Sequence, residues 1–191
     1  MIFKQTWWDD NLSTRMDEFK SWIGSSNEPS KKYLREYVKK MGYKTIIDLG
    51  CGTATEYFAY KQEQPNVKYL GIDSSKVLYD INTAKGVPMV LAPAEDTHLI
   101  DKHSDFVFSR HVLEHQPDFG PILYEMIRLA RKEAVHIFFI PPGETGHIGY
   151  AKEENLYHNR YEKKKIEHFL LSRGLSFNWV PIGKTEVALH I

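Results

Sequence analysis

Short apolar segments alternate with amphipathic ones along most of this chain of 191 residues. The apolar segments predict five strands, at residues 45–49, 67–73, 87–92, 104–110 and 134–140. Between them, apolar side chains recur at helical spacing and predict helices at residues 54–64, 75–86 and 118–133. Strands and helices that alternate in this way build a doubly wound, mostly parallel sheet with helices on both faces.

Further elements are predicted at the two ends of this alternation. A helix over residues 31–42 carries its apolar side chains on one stripe and stops at a glycine. A second helix, over residues 163–174, also ends at a glycine. It is followed by LSFNWV and KTEVALHI, joined through Pro181-Ile182-Gly183, and these segments predict a C-terminal antiparallel hairpin. The expected fold class is therefore α/β, with seven strands in all.

Composition narrows the class of protein. Apolar residues make up 42% of the chain and charged residues 26%, which is typical of a soluble globular protein. The formal net charge is zero, so a general electrostatic attraction to nucleic acid is not indicated, and the basic runs KKYLREYVKK and EKKKIEH suggest solvated helix faces. The single cysteine, Cys51, excludes an intramolecular disulfide framework. With no signal peptide and no apolar stretch of about 20 residues, we expect a cytoplasmic protein.

The first predicted strand runs into a Gly-x-Gly turn within IIDLGCGTATEYF, residues 46–58. A phosphate loop would need G-x-x-x-x-G-K-S/T, which is absent, and a dinucleotide fingerprint needs a small third residue where Thr55 stands. Asp48, just before the turn, would repel a diphosphate but would suit a ligand that carries an ammonium or sulfonium charge. Asp73 ends the second strand, where a carboxylate can accept hydrogen bonds from two ribose hydroxyls. The pattern favours a cationic nucleoside.

Four motifs, DLGCGTA, YLGIDSS, AEDT and DFVFSRHVLEHQPD, follow one another in this order. Together they resemble the class I S-adenosylmethionine-dependent methyltransferases, in particular the small-molecule, methyltransferase type 11-like branch. The resemblance covers residues 43 to 140 and implies a Rossmann-like fold, S-adenosyl-L-methionine as cofactor, and methyl transfer to an oxygen or nitrogen of a small molecule. It suggests an N-terminal helical cap at residues 1–42 and a cofactor-binding domain at 43–191, within one compact domain.

The resemblance also implies the cofactor contacts, position by position. The methionyl part would lie near Asp48, Gly50, Cys51 and Gly52, and the ribose near Asp73 and Ser74. The adenine would lie near Ala94, Glu95 and Asp96, and the sulfonium near Ser109 and Arg110. Other interpretations stay open at this point. Asp48 would also suit the role of a cap for the next helix, and Glu95 and Asp96 that of ordinary loop acids.

The segment RHVLEHQPD places His111, Glu114 and His115 at positions i, i+3 and i+4, which share one face of a helix. A histidine suits the role of general base near neutral pH, so His111 and His115 are candidate catalytic residues. In some quinone-biosynthesis relatives the matching segment binds a metal, but it has glutamate where this chain has His111. We therefore predict no metal site and keep the three residues as an alternative, beside a purely structural role for Glu114 and His115.

Residues 141–161 form a long connection after the fifth strand, and long loops are often functional. The segment is rich in histidine and tyrosine, which predicts a lid over the acceptor, with His158 and Tyr161 as further catalytic candidates. The alternative is a surface loop whose tyrosines pack on the core. The pair Trp7 and Trp8 is interpreted as a second lid or as part of the core.

Function is thus expected to be methyl transfer to a small-molecule acceptor, by a monomer or homodimer that binds neither nucleic acid nor membrane. Three alternatives are a methyltransferase acting on RNA or protein, a non-catalytic or partner-dependent subunit that binds S-adenosylmethionine, and a nicotinamide oxidoreductase. The first would need a basic cleft, which the net charge disfavours. The presence of Thr55 in the turn counts against the last.

Overall fold

A computed structural model of the chain describes residues 25–152 and 156–191. Within these ranges, five helices flank a seven-stranded sheet, and two short strands pair separately. The helices are α1 (Pro29–Met41), α2 (Thr55–Glu63), α3 (Lys76–Ala84), α4 (Gly120–Leu129) and α5 (Lys163–Leu171). The strands are β1 (Thr45–Leu49), β2 (Lys68–Asp73), β3 (Met89–Leu91), β4 (Ser104–Arg110), β5 (Ala130–Phe138), β6 (Tyr150–Ala151), β7 (Leu156–Tyr157), β8 (Asn178–Ile182) and β9 (Glu186–His190).

The large sheet has the strand order β3-β2-β1-β4-β5-β9-β8. The first five strands are parallel, and β9 runs antiparallel to both β5 and β8. The direction of winding reverses between β1 and β4, so the carboxyl ends of these strands border the crevice in which such sheets bind ligands. The predicted fold class, a doubly wound sheet with a C-terminal hairpin, is confirmed.

Each face of the sheet has its own core, because alternate residues of a strand point to opposite faces. Ile46 packs with Leu34 and Val38 of α1, whereas its neighbour Ile47 packs in a second cluster with Met126 of α4. All of these side chains are almost completely buried. The helix of the predicted N-terminal cap is therefore part of one of the two cores.

Two predicted boundaries were wrong. The helix predicted over residues 118–133 ends at Leu129, and the strand begins four residues earlier than expected, at Ala130. The apolar stripe of the helix continues to Ala130, but extended backbone from there places Glu133 next to the hydroxyls of Tyr37 and Tyr43. Those partners lie about ninety positions away in the sequence, so a local pattern does not reveal them.

The hairpin turn is also displaced from its predicted place. Pro181 and Ile182 belong to β8, and the chain reverses at Gly183, whose φ of +60° is left-handed. The predicted Trp7 and Trp8 lid lies outside the described residues. Among the helices that the structure describes, none has the length and apolar character needed to cross a bilayer.

Candidate active site

A cavity of about 600 Å³ opens at the carboxyl ends of β1, β2 and β4. This volume falls within the range of roughly 300–1,000 Å³ that is typical of small-molecule sites. Its walls come from α1, from the turn after β1, from the loop after β3, and from the segments that follow β4 and β5. Leu156 and His158, in the second half of the loop at residues 141–161, also line the cavity.

The glycine turn after β1 forms one wall of this cavity, through Gly50, Cys51 and Gly52. Gly50 has a φ of +76° and Gly52 a φ of +55°, which favour glycine. A side chain on Gly50 would also collide with the side chain of Val112. The backbone N–H groups of Gly50 and Cys51 both donate to the carbonyl of Ile72, at 2.8 and 3.1 Å, so the turn is fastened to β2. The backbone thus approaches the cavity closely.

Asp73 and Ser74 line the cavity at the end of β2. The two carboxylate oxygens of Asp73 accept hydrogen bonds from the N–H groups of Gly52 and Ser75, each at 2.9 Å. Each oxygen has a second lone pair, so the carboxylate can also accept a hydroxyl of a bound ligand. No local pattern marked Asn82, a buried residue of α3 whose amide donates to the carbonyl of Gly52 at 2.8 Å.

Asp48 is almost completely buried at the end of β1 and lines the cavity. Burial raises the pKa of its carboxyl to about 7, although the hydroxyl of Tyr69, which donates at 2.7 Å, acts in the opposite direction. A cation placed beside this carboxyl would favour its ionised form. Asp48 does not cap the next helix, because α2 follows Ala54 in a left-handed conformation and has no side-chain cap.

Helices α1 and α2 contribute charged residues that the sequence interpretation missed. The run KKYLREYVKK was expected to be a solvated face, but Lys31 and Arg35 are only 3% exposed. Lys31 lines the cavity, and its Nζ donates to Oγ1 of Thr55 at 3.0 Å. Burial lowers the pKa of Lys31 and raises that of Glu56, which also lines the cavity and is paired with Arg35 at 2.9 Å. The local sequence showed only alternating charges.

The loop after β3 brings Ala94 and Glu95 to the cavity, but not Asp96. The Asp96 side chain is 61% exposed, and its carboxylate lies 3.1 Å from Nδ1 of His98. The loop is braced from α4, where a carboxylate oxygen of Glu125 accepts the backbone N–H of Thr97 at 2.9 Å. For Asp96, the interpretation as an ordinary loop acid therefore describes the structure.

At the end of β4, the structure separates the two residues expected beneath the sulfonium. Ser109 is fully buried and does not line the cavity. Arg110 does, but its guanidinium is paired with Glu28 and donates through Nε to Oγ of Ser30 at 2.8 Å. A second carboxylate, from Glu186, lies 3.7 Å from the same guanidinium. Arg110 thus joins α1 and the C-terminal hairpin to the cavity wall.

His111 follows directly and lines the cavity. Its φ of +58° lies in the left-handed region, which is uncommon for residues other than glycine and is often found at functional sites. The Nε2 atom lies 2.6 Å from a carboxylate oxygen of Glu186, and the ring packs against Phe139 with the centroids 4.9 Å apart. The sequence offered no indication of this contact with the hairpin.

His111, Glu114 and His115 do not share a helix face, because the segment Leu113–His115 is a single 3₁₀ turn. Glu114 is completely buried, and one of its oxygens accepts the N–H groups of Phe139 and Ile140, at 2.6 and 3.3 Å. In the part of the chain that the structure describes, no three histidine, cysteine or acidic side chains are grouped to hold a metal. For Glu114, the structural alternative describes what is found.

The other two candidate histidines, His115 and His158, border the cavity near the loop at residues 141–161. His115 contacts the carbonyl of Tyr157 through Nδ1, at 2.7 Å, and burial lowers its pKa. His158 also lines the cavity and meets His115 edge to face, with the ring centroids 5.3 Å apart. Tyr161 does not line it: its buried hydroxyl donates to the carbonyl of Leu113 at 2.7 Å. Tyr161, predicted as a catalytic candidate, is therefore packed in the core and not at the cavity wall.

Comparisons with known proteins agree with this architecture. A family model described as "Methyltransferase domain" matches residues 47–138, the stretch that runs from β1 to β5. The curated trans-aconitate 2-methyltransferase of Deinococcus radiodurans is 23% identical over 125 residues, which are 65% of this chain and 48% of the relative. The chain thus matches about half the length of that protein.

Two solved structures show the same fold. One is the 1,6-didemethyltoxoflavin-N1-methyltransferase of Burkholderia thailandensis with bound 1,6-didemethyltoxoflavin and S-adenosylhomocysteine. It has a TM-score of 0.69 at 17% identity and covers 95% of this chain and 84% of its own. The other, a SAM-dependent methyltransferase from Aquifex aeolicus, has a TM-score of 0.66 at 20% identity and covers 91% and 96%. The matching family model, the strand order and the glycine turn support a class I S-adenosylmethionine-dependent methyltransferase.

Proposed function

We propose that this chain transfers the methyl group of S-adenosyl-L-methionine to an oxygen or nitrogen of a small-molecule acceptor. The observation that carries the proposal is one cavity lined by two chemically different groups of residues. Asp48 and Asp73 form the first group, with a glycine turn that leaves room for a ligand. His111, His115 and His158 form the second.

The first group of residues, Asp48, Asp73 and the glycine turn, fits this cofactor. The missing side chain at Gly50 leaves backbone against the cavity, where any larger residue would collide with Val112. Asp73 would accept the ribose hydroxyls, and Ala94 and Glu95 would border the adenine. Asp48 would face the cationic part of the ligand, whose charge would favour the ionised carboxylate. When bound, the cofactor supplies a methyl group activated by the positive charge on sulfur.

The second group of residues, the three histidines, would orient the acceptor and exclude water. Holding two reactants in line replaces a bimolecular encounter, and such orientation can contribute roughly 7–11 kcal/mol. Leu156 and His158 line the cavity, which supports a role for their loop in covering the acceptor. His111 is the candidate base for an acceptor that must lose a proton, and His115 is the second candidate.

A small acceptor is supported by the cavity volume of about 600 Å³ and by the net charge of zero. The single cysteine is compatible with the cytoplasmic location that we propose. Acceptor recognition would depend on α1 and on the loop at residues 141–161, because both segments contribute residues to the cavity wall. We propose that the chain acts as a monomer or homodimer.

Isothermal titration calorimetry with S-adenosylmethionine, S-adenosylhomocysteine and NAD tests the cofactor directly. We expect the first two to bind and NAD not to bind, and an absence of binding by both adenosyl compounds would disprove the proposal. Asp73→Ala should weaken binding by about 1–3 kcal/mol, because it leaves ribose hydroxyls without an acceptor. Asp80→Ala is the matched control, because Asp80 is an exposed residue of α3 whose partner is Lys76. Equal affinities of the two variants would remove Asp73 from the site.

A further inference from the structure

A carboxylate of the C-terminal hairpin meets the histidine at the end of β4. Oε1 of Glu186, the first residue of β9, lies 2.6 Å from Nε2 of His111. The side chains are 13% and 24% exposed, so the contact is largely shielded from water. The residues are 75 positions apart, and the contact connects the hairpin to the cavity wall.

Glu186 is itself held in place from two other elements. The hydroxyl of Ser30 on α1 donates to the same Oε1 at 2.9 Å, and Arg110 on β4 lies 3.7 Å away. Burial alone would raise the pKa of Glu186, but the hydrogen bonds from His111 and Ser30 and the charge of Arg110 hold it below its ordinary value. At neutral pH the group is therefore an anion in a fixed position.

An ionised carboxylate can only accept hydrogen bonds, so the proton in this contact is on Nε2 of His111. In the neutral ring the other nitrogen, Nδ1, is then the acceptor. Contact with Phe139 and the left-handed backbone hold the ring at the edge of the cavity. A carboxylate that fixes the tautomer and orientation of a catalytic imidazole is a recurring arrangement in proton-transfer sites.

We propose that Glu186 is a positioning residue that keeps His111 in the tautomer able to take a proton from the methyl acceptor. The acceptor is then a hydroxyl or N–H group that must lose a proton, and not a carboxylate that is already ionised. This inference rests on the proposed function and specifies the class of substrate.

In this step the acceptor oxygen forms a bond to the methyl carbon, and the bond from that carbon to sulfur breaks with its electron pair left on sulfur. The hydroxyl proton moves to Nδ1 of His111, and the imidazolium charge faces the carboxylate of Glu186. The products are a methyl ether, a neutral thioether and a proton, which passes from His111 to water. A nitrogen acceptor loses its proton in the same way.

The tautomer is measured without any acceptor, by long-range ¹H–¹⁵N spectra of the full chain labelled with ¹⁵N-histidine. The signals of His111 are identified by their loss in His111→Asn. We expect the Nε2–H tautomer in the wild type, a mixture of tautomers in Glu186→Ala, and recovery of the single tautomer in Glu186→Asp. Glu36→Ala, which removes an exposed glutamate of α1, is the matched control and should leave the spectrum unchanged.

An Nδ1–H tautomer in the wild type, or unchanged His111 signals in Glu186→Ala, would overturn the inference. Titration of the same samples with S-adenosylhomocysteine separates this from the proposed function. Binding with a Kd within about threefold of the wild type shows that Glu186→Ala is folded, whereas a wild type that fails to bind refutes the proposed function itself.

Turnover gives a second measurement, with S-adenosylmethionine tritiated on the methyl group and with catechol and short dicarboxylic acids as probe acceptors. For a hydroxyl acceptor, we expect Glu186→Ala to lower kcat by about tenfold or more, with KM within about threefold, because base catalysis contributes to the rate and not to ground-state binding. Methyl transfer to dicarboxylic acids only, at the same rate in both proteins, would overturn the inference and leave the proposed function intact.

Discussion

At the scale of single residues, the ends of β1 and β4 carry two unusual backbone conformations that face one cavity. Gly50 adopts a positive φ and lies against Val112, and His111 adopts a positive φ that its side chain makes costly. Hydrogen bonds to neighbouring strands hold both positions: Gly50 donates to Ile72 and His111 to Ile137. The surrounding sheet thus maintains a geometry that neither segment would adopt alone.

Gly50→Ala tests how much of this geometry the site needs. The alanine would face both the positive φ and the collision with Val112, whereas Gly86→Ala faces only a positive φ of +79° in open space. We expect Gly86→Ala to lower the free energy of unfolding by about 1 kcal/mol and Gly50→Ala by roughly 2–4 kcal/mol. Urea denaturation measures both values. In the Val112→Ala background, Gly50→Ala should cost no more than Gly86→Ala does in the wild type, and equal losses in the two single variants would show that there is no collision.

The sequence predicted those residues of the candidate site that are marked by a pattern within a few neighbouring positions. Asp48, Gly50 and Asp73 each stand at a predicted strand end or in a glycine turn, and the structure places them together. Lys31 and Glu186 reach the site from remote segments, so no local pattern marked them. Ser109 and Tyr161 are polar residues whose side chains point into the core, and a local pattern does not reveal whether a polar side chain at a strand end or in a loop points inward.

At the scale of elements, a polar cluster links α1, β5 and the C-terminal hairpin. The carboxylate of Glu133 accepts hydrogen bonds from Tyr37 and Tyr43 and contacts Nδ1 of His190, with distances of 2.5 to 2.9 Å to the nearest oxygen. The same cluster explains why β5 starts earlier than its sequence suggests. Helical periodicity reflects only the local preference of a segment for a helix. Here the long-range hydrogen bonds to Glu133 outweigh that preference.

This cluster predicts a pH-dependent contribution to stability. Burial raises the pKa of Glu133, but hydrogen bonds from His190, Tyr43 and Tyr37 outweigh that effect and hold it below its ordinary value of 4.5. A lowered pKa in the folded state means that the stabilisation is present above about pH 4.5 and is lost as the pH falls through the folded-state pKa. Glu133→Gln should therefore reduce the free energy of unfolding by about 1–3 kcal/mol at pH 7, and by progressively less in acid.

Urea denaturation of wild type and Glu133→Gln between pH 7 and pH 3.5 measures this difference. Glu36→Gln serves as the control, because Glu36 is exposed and pairs with Lys32 across one helical turn. That variant should stay within about 0.5 kcal/mol of the wild type throughout. A Glu133→Gln difference that is constant with pH would mean that the ionised carboxylate is not the stabilising form.

At the scale of the whole molecule, the alternation of strands and helices predicted the sheet, its parallel part and the final hairpin. The right-handed crossover rule leaves few ways to arrange such a chain, which is why topology followed from element order. The proposed acceptor cannot be identified in the same way, because the cavity wall combines side chains from α1, the segment after β4 and the loop at residues 141–161. Their mutual placement is a property of the complete fold.

Binding of a ligand to the folded domain should raise its melting temperature, Tm. At a free concentration of about 100 times its Kd, S-adenosylhomocysteine should stabilise the folded state by about 2.7 kcal/mol. For a domain of this size, that corresponds to an increase in Tm of about 5–10 °C. Differential scanning calorimetry with NAD at the same concentration provides the control, and an equal shift with both compounds would indicate a general nucleotide pocket.

The hydrogen bond between Ser30 and Glu186 joins residues 156 positions apart. During synthesis on the ribosome, the hydrogen bonds from the glycine turn to Ile72 and Asp73 become possible once β1 and β2 have emerged. The contact of His111 with Glu186 has to wait for β9, so a nascent chain that lacks this strand has the glycine turn without the paired histidine. Order of synthesis therefore places the completion of this contact last, and contacts of such long range also slow folding.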